Sequence, residues 1–474
     1  MRRSAILFAR LVTAVAALSL AAPPVSAQSA EPSILRDSET EALLQDLVAP
    51  ITKSAGLAPG AVQVVLVNDP SINAFTAGGQ RIFINSGLIE TADNANQIQG
   101  VLAHEMGHII GGHSISIYQG LGTAGKIQLL TMIAGVAAAL AGAPEAGSAI
   151  SAMGQQAAMS SFLSFSRAQE SSADAASVRL LSKSCISGRG AIAFFRKLQD
   201  QEFRYAEPQT AEAGFASTHP LTGDRIADLE ADFAKDPAWD RPHADLVARV
   251  GGDACPAMPD NVEERFQRIK AKLYGYLAKP ADTLRHYPPY MTGVPARYAR
   301  AYAYHKDARM DAAIAETDAL IATAPRDPYF LELKGQVLLE SGKPQEAIAP
   351  LRAATELTGN DPLIASTFGH ALIATEQPAN YGEALKVLRA AVSRDRENPF
   401  AWYQLGIVYA ATGDTPRARL ASAEQQIMSA SPREALQNAA FAESALPTGT
   451  PDWLRAQDVE MQARAELERS KQRH

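Results

Sequence analysis

A repeat with a period of about 34 residues in the second half of the chain constrains its fold more than any other feature. Small residues recur at this period, and alanines follow each of them about one helix later. The two sets are Ala301, Gly335, Gly369 and Gly406, and Ala313, Ala347, Ala384 and Ala418. Such residues are typical of points where paired helices cross closely. Because each helix pair buries its apolar face against the next pair, the period predicts an all-α solenoid.

Other positions follow the same period. Large residues stand three positions after the first set, at Tyr304, Leu338, Leu372 and Tyr409, and Asp-Pro or Asn-Pro occurs at 327–328, 361–362 and 398–399. The third unit is longer by three residues, between Gln377 and Tyr381, in the predicted turn between its helices. Beyond Pro432 the pattern weakens, and a charged final helix from Trp453 is predicted to cap the solenoid. The pattern is the tetratricopeptide signature of one helix pair per repeat.

The first half contains a His-Glu-x-x-His box at His104, Glu105 and His108, flanked by apolar residues that favour a helix. On a helix, His104 and His108 share a face and can bind one metal ion together. Glu105 lies about 100° round the helix axis from His104, where it can reach a metal-bound water without ligating the metal. This geometry is typical of a zinc peptidase and its catalytic base. The alternative is a pair of surface histidines on an ordinary helix.

A catalytic zinc needs a third protein ligand. His113 is one candidate for this ligand, because the pattern His-Glu-x-x-His-x-x-Gly-x-x-His places a third histidine after the box. That pattern requires the histidine one position later, where Ser114 stands, so His113 is the weaker candidate. Glu170 and Asp174 are the stronger candidates, because they lie four residues apart on a predicted helix and share a face. In that arrangement Glu170 binds the metal and Asp174 accepts the free ring N–H of a ligand histidine. The alternative is a solvated acidic helix face.

These motifs together resemble the M48 family of metallopeptidases, which are gluzincins. The resemblance spans about 40 to 235 and is carried by Asn73-Ala74-Phe75, Ser86-Gly87-Leu88, Val101 to His108, the pair Glu170 and Asp174, Ser217-Thr218-His219-Pro220 and Arg225-Ile226. It implies an α+β gluzincin-type domain, mostly helical with a small sheet, ahead of the all-α tetratricopeptide-repeat solenoid. We assign the metallopeptidase domain to 28–255, a connecting helix and linker to 256–294, and the repeat domain with its capping helices to 295–474.

The resemblance also implies roles for individual residues. It implies one zinc ion per chain, with His104, His108 and Glu170 as its ligands. Glu105 is then the catalytic base, and Asp174 supports a ligand histidine.

Two further residues enter through the resemblance alone. It implies that His219 lies near the metal, and in periplasmic members with repeats such a histidine can close the fourth zinc position and hold the enzyme inactive. The competing role for His219 is to stabilise the developing oxyanion during peptide hydrolysis. Arg225 is a candidate for the same regulatory or oxyanion role.

Residues 1–27 have the form of a cleavable secretory signal, with Arg2 and Arg3 ahead of an apolar run from Leu11 to Ala22. The run is too short to span a bilayer well, and no cysteine follows to accept a lipid, so we expect a soluble exported protein. The resemblance implies the periplasm as its compartment. The formal net charge is −7 and no basic patch stands out, which argues against a nucleic-acid ligand.

Two β-rich runs precede the metal helix, at Ala61–Asn68 and Arg81–Ser86. In zinc peptidases of this sort, an edge strand beside the metal helix commonly takes substrate by strand addition. Arg81–Ser86 is our candidate for that edge strand. An earlier helix is predicted over Glu39–Ala49, where Pro50 marks a kink or an end.

The region around Glu170 yields three more predictions. The uncharged stretch Ile127–Ala143 is predicted to form a buried helix or two short ones; the alternative is a mobile lid or a membrane-surface element, which implies a peripheral membrane contact. Cys185 and Cys255 are either one disulfide or two thiols, and we predict a disulfide. Ala191–Leu198 is a predicted helix whose two phenylalanines, Phe194 and Phe195, close the core.

Two functions fit these features. The first is a zinc metalloendopeptidase that cleaves unfolded or misassembled envelope proteins. The likeness of the whole architecture to periplasmic family members implies outer-membrane proteins and their assembly machinery as partners, bound through a chaperone-like repeat domain. The second is a non-proteolytic assembly chaperone or scaffold with a dormant zinc site. Glu105 favours the first function, because a structural zinc site has no use for a base there.

Overall fold

The computed structural model describes residues 33–76, 79–113, 167–204, 219, 223–235, 255 and 261–472. The predicted signal at 1–27 and the stretch Ile127–Ala143 lie outside these residues. Within them, no helix combines the length and the apolar character needed to cross a membrane.

A four-stranded mixed sheet lies in the N-terminal half. Its strands are β1 (Ser33–Leu35), β2 (Gln63–Asn68), β3 (Ala74–Thr76) and β4 (Arg81–Asn85), in the order β1-β2-β4-β3. β4 pairs in parallel with β2 and antiparallel with β3. The prediction that Arg81–Ser86 is an edge strand is therefore wrong. The short strand β3 forms that edge, because the chain turns back after β2 and adds β3 outside β4.

Six helices pack with this sheet in the described part of the N-terminal half. They are α1 (Ser38–Ser54), α2 (Ser86–Thr91), α3 (Ala95–Ile110), α4 (167–183), α5 (Arg189–Arg204) and α6 (Gly223–Ala234). α1 begins where Asp37 accepts a hydrogen bond from the backbone N–H of Thr40 and continues through Pro50. α3 carries the His-Glu-x-x-His box and begins at an equivalent cap, Asn94.

One apolar core joins the sheet to these helices. Leu47 of α1, Ile84 of β4 and Leu102 of α3 are fully buried in it. Phe194 and Phe195 of α5 are also fully buried there, as predicted. The helix predicted as a connector, α7 (Val262–Leu277), contributes Phe266 and Ile269 to the same core. It is thus packed against the metal-box half of the molecule along its length.

The second half is a run of paired helices, as the period predicts. After the short helix α8 (Pro280–His286), the pairs are α9 (Val294–Lys306) with α10 (Met310–Thr323), α11 (Pro328–Glu340) with α12 (Pro344–Leu357), α13 (Pro362–Ala374) with α14 (Pro378–Arg394), α15 (Pro399–Ala411) with α16 (Thr415–Met428), and α17 (Pro432–Ala445) with the terminal α18 (Pro451–Gln472).

The recurring residues of the period have identifiable roles in these pairs. Asp327, Asp361 and Asn398 cap α11, α13 and α15 with their side chains, and the proline after each occupies the first turn, where no N–H is needed. A Cβ at Gly335 or Gly369 would lie within 2.5 Å of a leucine on the paired helix. Glycine at these two positions is therefore required by close helix packing, as predicted, whereas a Cβ at Gly406 would meet its nearest neighbour only at 3.5 Å.

The two halves are joined by a largely buried group of four charged side chains and one tyrosine, which we call the interdomain charge network: Asp37, Glu39, Arg268, Lys272 and Tyr298. Lys272 Nζ lies 2.5 Å from Asp37 Oδ2 and 3.2 Å from Glu39 Oε2. Tyr298, on α9, donates its hydroxyl to Glu39 at 2.6 Å. Arg268 pairs with Glu39 as well. The first helix of the repeats, α9, is thus tied to α1.

Candidate metal centre

α3 presents its two histidines on one buried face. His104 and Glu105 are fully buried, and His108 is nearly so. The Nε2 atoms of His104 and His108 lie 3.1 Å apart, so both rings direct the same nitrogen to one point. The i, i+4 spacing therefore brings the two side chains together as the sequence predicts.

α4 brings the predicted third ligand to the same point. Glu170 Oε2 lies 3.4 Å from His104 Nε2, and Oε1 lies 3.4 Å from His108 Nε2. This approach requires the glycine inside the box, because a Cβ at Gly107 would lie 2.7 Å from the carbonyl oxygen of Ala173. The helices carrying the histidines and the carboxylate can thus approach closely only with glycine at that position.

His219 completes the group. Its Nδ1 lies 3.0 Å from Glu170 Oε1 and 3.4 Å from His104 Nε2. Its Nε2 lies 3.5 Å from Glu105 Oε1. The ligand atoms of His104, His108, Glu170 and His219 lie within 4.8 Å of one another, and we call these four residues the metal-ligand cluster.

Asp174 and Arg225 support this cluster from behind. Asp174 Oδ1 lies 3.0 Å from His104 Nδ1, the ring nitrogen opposite the cluster, as its predicted role requires. The guanidinium of Arg225 donates to both oxygens of Asp174, at 2.8 and 2.9 Å, and its Nη2 lies 3.1 Å from Glu170 Oε2. Arg225 thus directs its charge onto two carboxylates of the site, a position that favours a supporting role over an oxyanion role.

His113 lies outside the metal-ligand cluster. Its Nδ1 is 2.9 Å from the Nδ1 of His108, on the side of that ring that faces away from the cluster. Sequence analysis considered His113 only as a metal ligand and missed this contact. The five-residue separation from His108 could not reveal it, because the contact depends on a turn after α3.

The surroundings shift the pKa values of these groups in opposite directions. Burial acts to lower the pKa of His104, but contacts with Asp174 and Glu170 outweigh it and raise that pKa to about 10. Burial, reinforced by neighbouring imidazoles, lowers the pKa of His108 to about 2. Burial raises the pKa of the Glu105 carboxyl. The two histidines differ because His104 has carboxylate partners, whereas His108 lies largely among other rings.

The spacing of the cluster fits a zinc ion. Tetrahedral ligands about 2.0–2.1 Å from zinc lie roughly 3.3 Å from one another. The separations within the cluster that are given above range from 3.0 to 3.4 Å. Imidazole nitrogens and a carboxylate oxygen are ligands that zinc accepts. The donor types and these separations therefore suit a metal ion such as zinc.

Comparison with known proteins identifies both halves. Residues 38–232 match the model of Peptidase family M48, and 298–362 and 379–432 match the model of the tetratricopeptide repeat. The chain therefore contains a Peptidase M48 domain followed by tetratricopeptide repeats. The M48 match ends at residue 232, within α6, the helix that carries Arg225.

Two kinds of relative share the M48 domain. The chain is 24% identical over 366 residues to the Beta-barrel assembly-enhancing protease of Escherichia coli K12, covering 76% of this chain and 69% of that one. It is 23% identical over 373 residues to the protein of the same name from Yersinia pestis, covering 77% and 71%. The human mitochondrial Metalloendopeptidase OMA1 is 25% identical over 170 residues, covering 35% of this chain and 31% of that one. The first two therefore match the M48 domain together with much of the repeats.

Proposed function

We propose that this M48 metalloprotease is a zinc-dependent endopeptidase with one zinc ion per chain. His104, His108 and Glu170 would hold the metal, and Glu105 would act as the catalytic base. The observation that carries the proposal is the convergence of three ligand atoms on one point with the buried Glu105 carboxylate beside them. A zinc ion in that position supplies a Lewis acid that polarises the scissile carbonyl and lowers the pKa of water.

The residues around the cluster have separable tasks in this mechanism. Glu105 takes the proton of the attacking water and delivers it to the leaving amine. Burial raises the pKa of Glu105, which makes its carboxylate a stronger base near neutral pH. Asp174 holds His104 in the tautomer that leaves Nε2 free for a metal. Arg225 neutralises the charge of Asp174 and orients Glu170.

The experiment that tests this assignment is Glu105→Gln. Because Glu105 is the base and not a ligand, the variant should keep one zinc per chain while casein digestion falls by about 10²–10⁴-fold. Glu41→Gln, at a more exposed carboxylate far along the chain from the cluster, is the control and should digest casein like the wild type. A Glu105→Gln variant that digests as fast as an active wild type would contradict the role of Glu105 as the base. A wild type that binds zinc but does not digest casein would support the scaffold function with a dormant zinc site.

His219 is proposed to regulate the same site. Its Nδ1 lies among the ligand atoms, so a neutral imidazole can occupy the fourth zinc position and keep water away. On this account His219→Ala should raise proteolysis, with zinc content unchanged. A loss of activity at unchanged zinc content would instead assign His219 to oxyanion stabilisation.

The partners are proposed from the relatives and the repeats together. Relatives named as β-barrel assembly-enhancing proteases support a periplasmic role in the quality control and assembly of outer-membrane proteins. The repeats would then hold unfolded or misassembled proteins, or their assembly machinery, near the zinc site and act as a chaperone-like surface. Crosslinking in cells of wild type and of a chain truncated before Val294 tests this: partners that persist without the repeats would contradict it.

A further inference from the structure

His113 is a buried histidine that the mechanism above does not use. Its exposed fraction is 6%, and its ring stands edge-on to that of His108, with centroids 4.9 Å apart. The short contact between the two rings joins Nδ1 to Nδ1 at 2.9 Å. Because the Nε2 of His108 faces the metal-ligand cluster, its Nδ1 is the nitrogen that carries the proton when the neutral ring binds a metal. His113 therefore stands where an acceptor for that proton is needed.

The chain after α3 is shaped to place this ring. α3 ends at Ile110, and Gly111 and Gly112 form the turn that leads back to His113. Gly112 has a φ of +64°, a conformation that side chains other than glycine rarely adopt. Gly111 has ordinary helical angles, but a Cβ there would lie 2.4 Å from His113 Nε2. Glycine at Gly111 is thus explained by the ring it accommodates and not by its own backbone.

The other histidine of the box, His104, also has a partner at its Nδ1, but this partner is a carboxylate. Its Nδ1 lies against the carboxylate of Asp174, which is itself held by Arg225. The two histidines of the box therefore have analogous contacts behind them, one with a carboxylate and one with an imidazole. A partner at the ring nitrogen that does not bind the metal fixes the tautomer and the orientation of a metal-binding histidine.

We propose that His113 is a positioning residue for His108: its Nδ1 accepts the Nδ1–H of His108 and so directs the Nε2 lone pair of His108 into the metal-ligand cluster. The proposal rests on the zinc site proposed above. No covalent step is involved. Both rings remain neutral, and the proton of His113 resides on its Nε2, beside Gly111.

Zinc affinity of the metal-free protein, measured by competition with a chromogenic chelator, tests this without reference to proteolysis. His113→Phe keeps an aromatic ring but removes the acceptor, and should weaken zinc binding about 10–100-fold. His113→Asn restores an oxygen acceptor and should recover part of that loss. Equal affinity in His113→Phe and wild type would overturn the proposal, as would equal losses in the Phe and Asn variants.

Gly111→Ala is a second, independent test, because it displaces the His113 ring without replacing it. Its backbone angles suit alanine, so the substitution should weaken zinc binding only by displacing His113. In the His113→Ala background the same substitution should have no further effect. Gly382→Ala, where a Cβ meets nothing within 4 Å, is the matched control. Equal effects of Gly111→Ala in both backgrounds would contradict the proposal, whereas a wild type that binds no zinc would contradict the proposed function itself.

Discussion

The metal-ligand cluster and the interdomain charge network are both built from buried ionisable side chains, yet they balance their charges differently. In the network each cation contacts carboxylates directly: Lys272 contacts Asp37 and Glu39, and Arg268 also contacts Glu39. In the cluster the ligand atoms face one another across distances near 3 Å. The carboxylates of the network are matched by cationic side chains of the protein, whereas the cluster brings acceptors together in a way that favours a cation.

Glu105 and Glu39 show the same difference at single residues. Both carboxylates are almost fully inaccessible to solvent. Glu39 accepts the hydroxyl of Tyr298 and pairs with Lys272 and Arg268. The oxygens of Glu105 have no hydrogen-bond partner among the described residues. Burial without hydrogen bonds is costly, and it is typical of catalytic carboxylates, which must remain able to exchange a proton.

The largest effect on stability is expected from breaking the network at Glu39. Glu39→Ala leaves Lys272 and Arg268 buried near each other without their shared carboxylate, and should lower the free energy of unfolding by about 3–5 kcal/mol. Urea denaturation measures this. Glu41→Ala, which removes a more exposed partner of Arg36, is the control and should cost at most about 1 kcal/mol. Equal effects of the two variants would show that the network does not join the halves.

Cys185 and Cys255 form a disulfide, which confirms the predicted pairing. Removing this disulfide is expected to have the next largest effect on stability. The disulfide closes a loop that includes His219 and Arg225 and thus constrains the cluster but not the network. The loop-entropy model gives about 4 kcal/mol for a loop of this length. Replacing both cysteines by serine should lower stability by up to that amount and weaken zinc binding. Thiol titration of the denatured, unreduced wild type should find no free thiol; two free thiols would contradict this account.

A pH-dependent effect is expected at Glu332, on α11 near the network. Burial raises its pKa to about 8, whereas an unfolded glutamate has a pKa of about 4.3. Because the folded pKa is the higher one, ionisation of Glu332 destabilises the fold increasingly as pH rises from about 4.3 to about 8. Glu332→Gln should therefore match wild type near pH 4 and be more stable than wild type at pH 8. A stability difference that stays constant over this range would contradict the assignment.

Regular spacing made much of the fold and site predictable. The box at His104 and His108 and the pair Glu170 and Asp174 follow from the i, i+4 rule, because residues on one helix keep their relative positions wherever the helix packs. The helix pairs follow from the 34-residue period for the same reason: each unit contacts mainly its neighbours.

Contacts between distant segments that carry no recognisable motif were not predictable. Glu39 and Lys272 are separated by 233 positions, and neither has a local pattern that marks it as buried. The edge-strand prediction for Arg81–Ser86 is wrong because strand order depends on which strand the chain adds next, and the short strand β3 carries little pattern of its own. The contact of His113 with His108 depends on the turn at Gly111 and Gly112.

Zinc content tests the central claim most directly. Wild type, His104→Ala and Glu41→Gln would each be dialysed against excess zinc, then against buffer, and analysed by mass spectrometry of the metal, with circular dichroism confirming that each is folded. We expect one zinc per chain in wild type and in Glu41→Gln, and far less than one in folded His104→Ala. One zinc per chain in His104→Ala, or none in wild type, would contradict it.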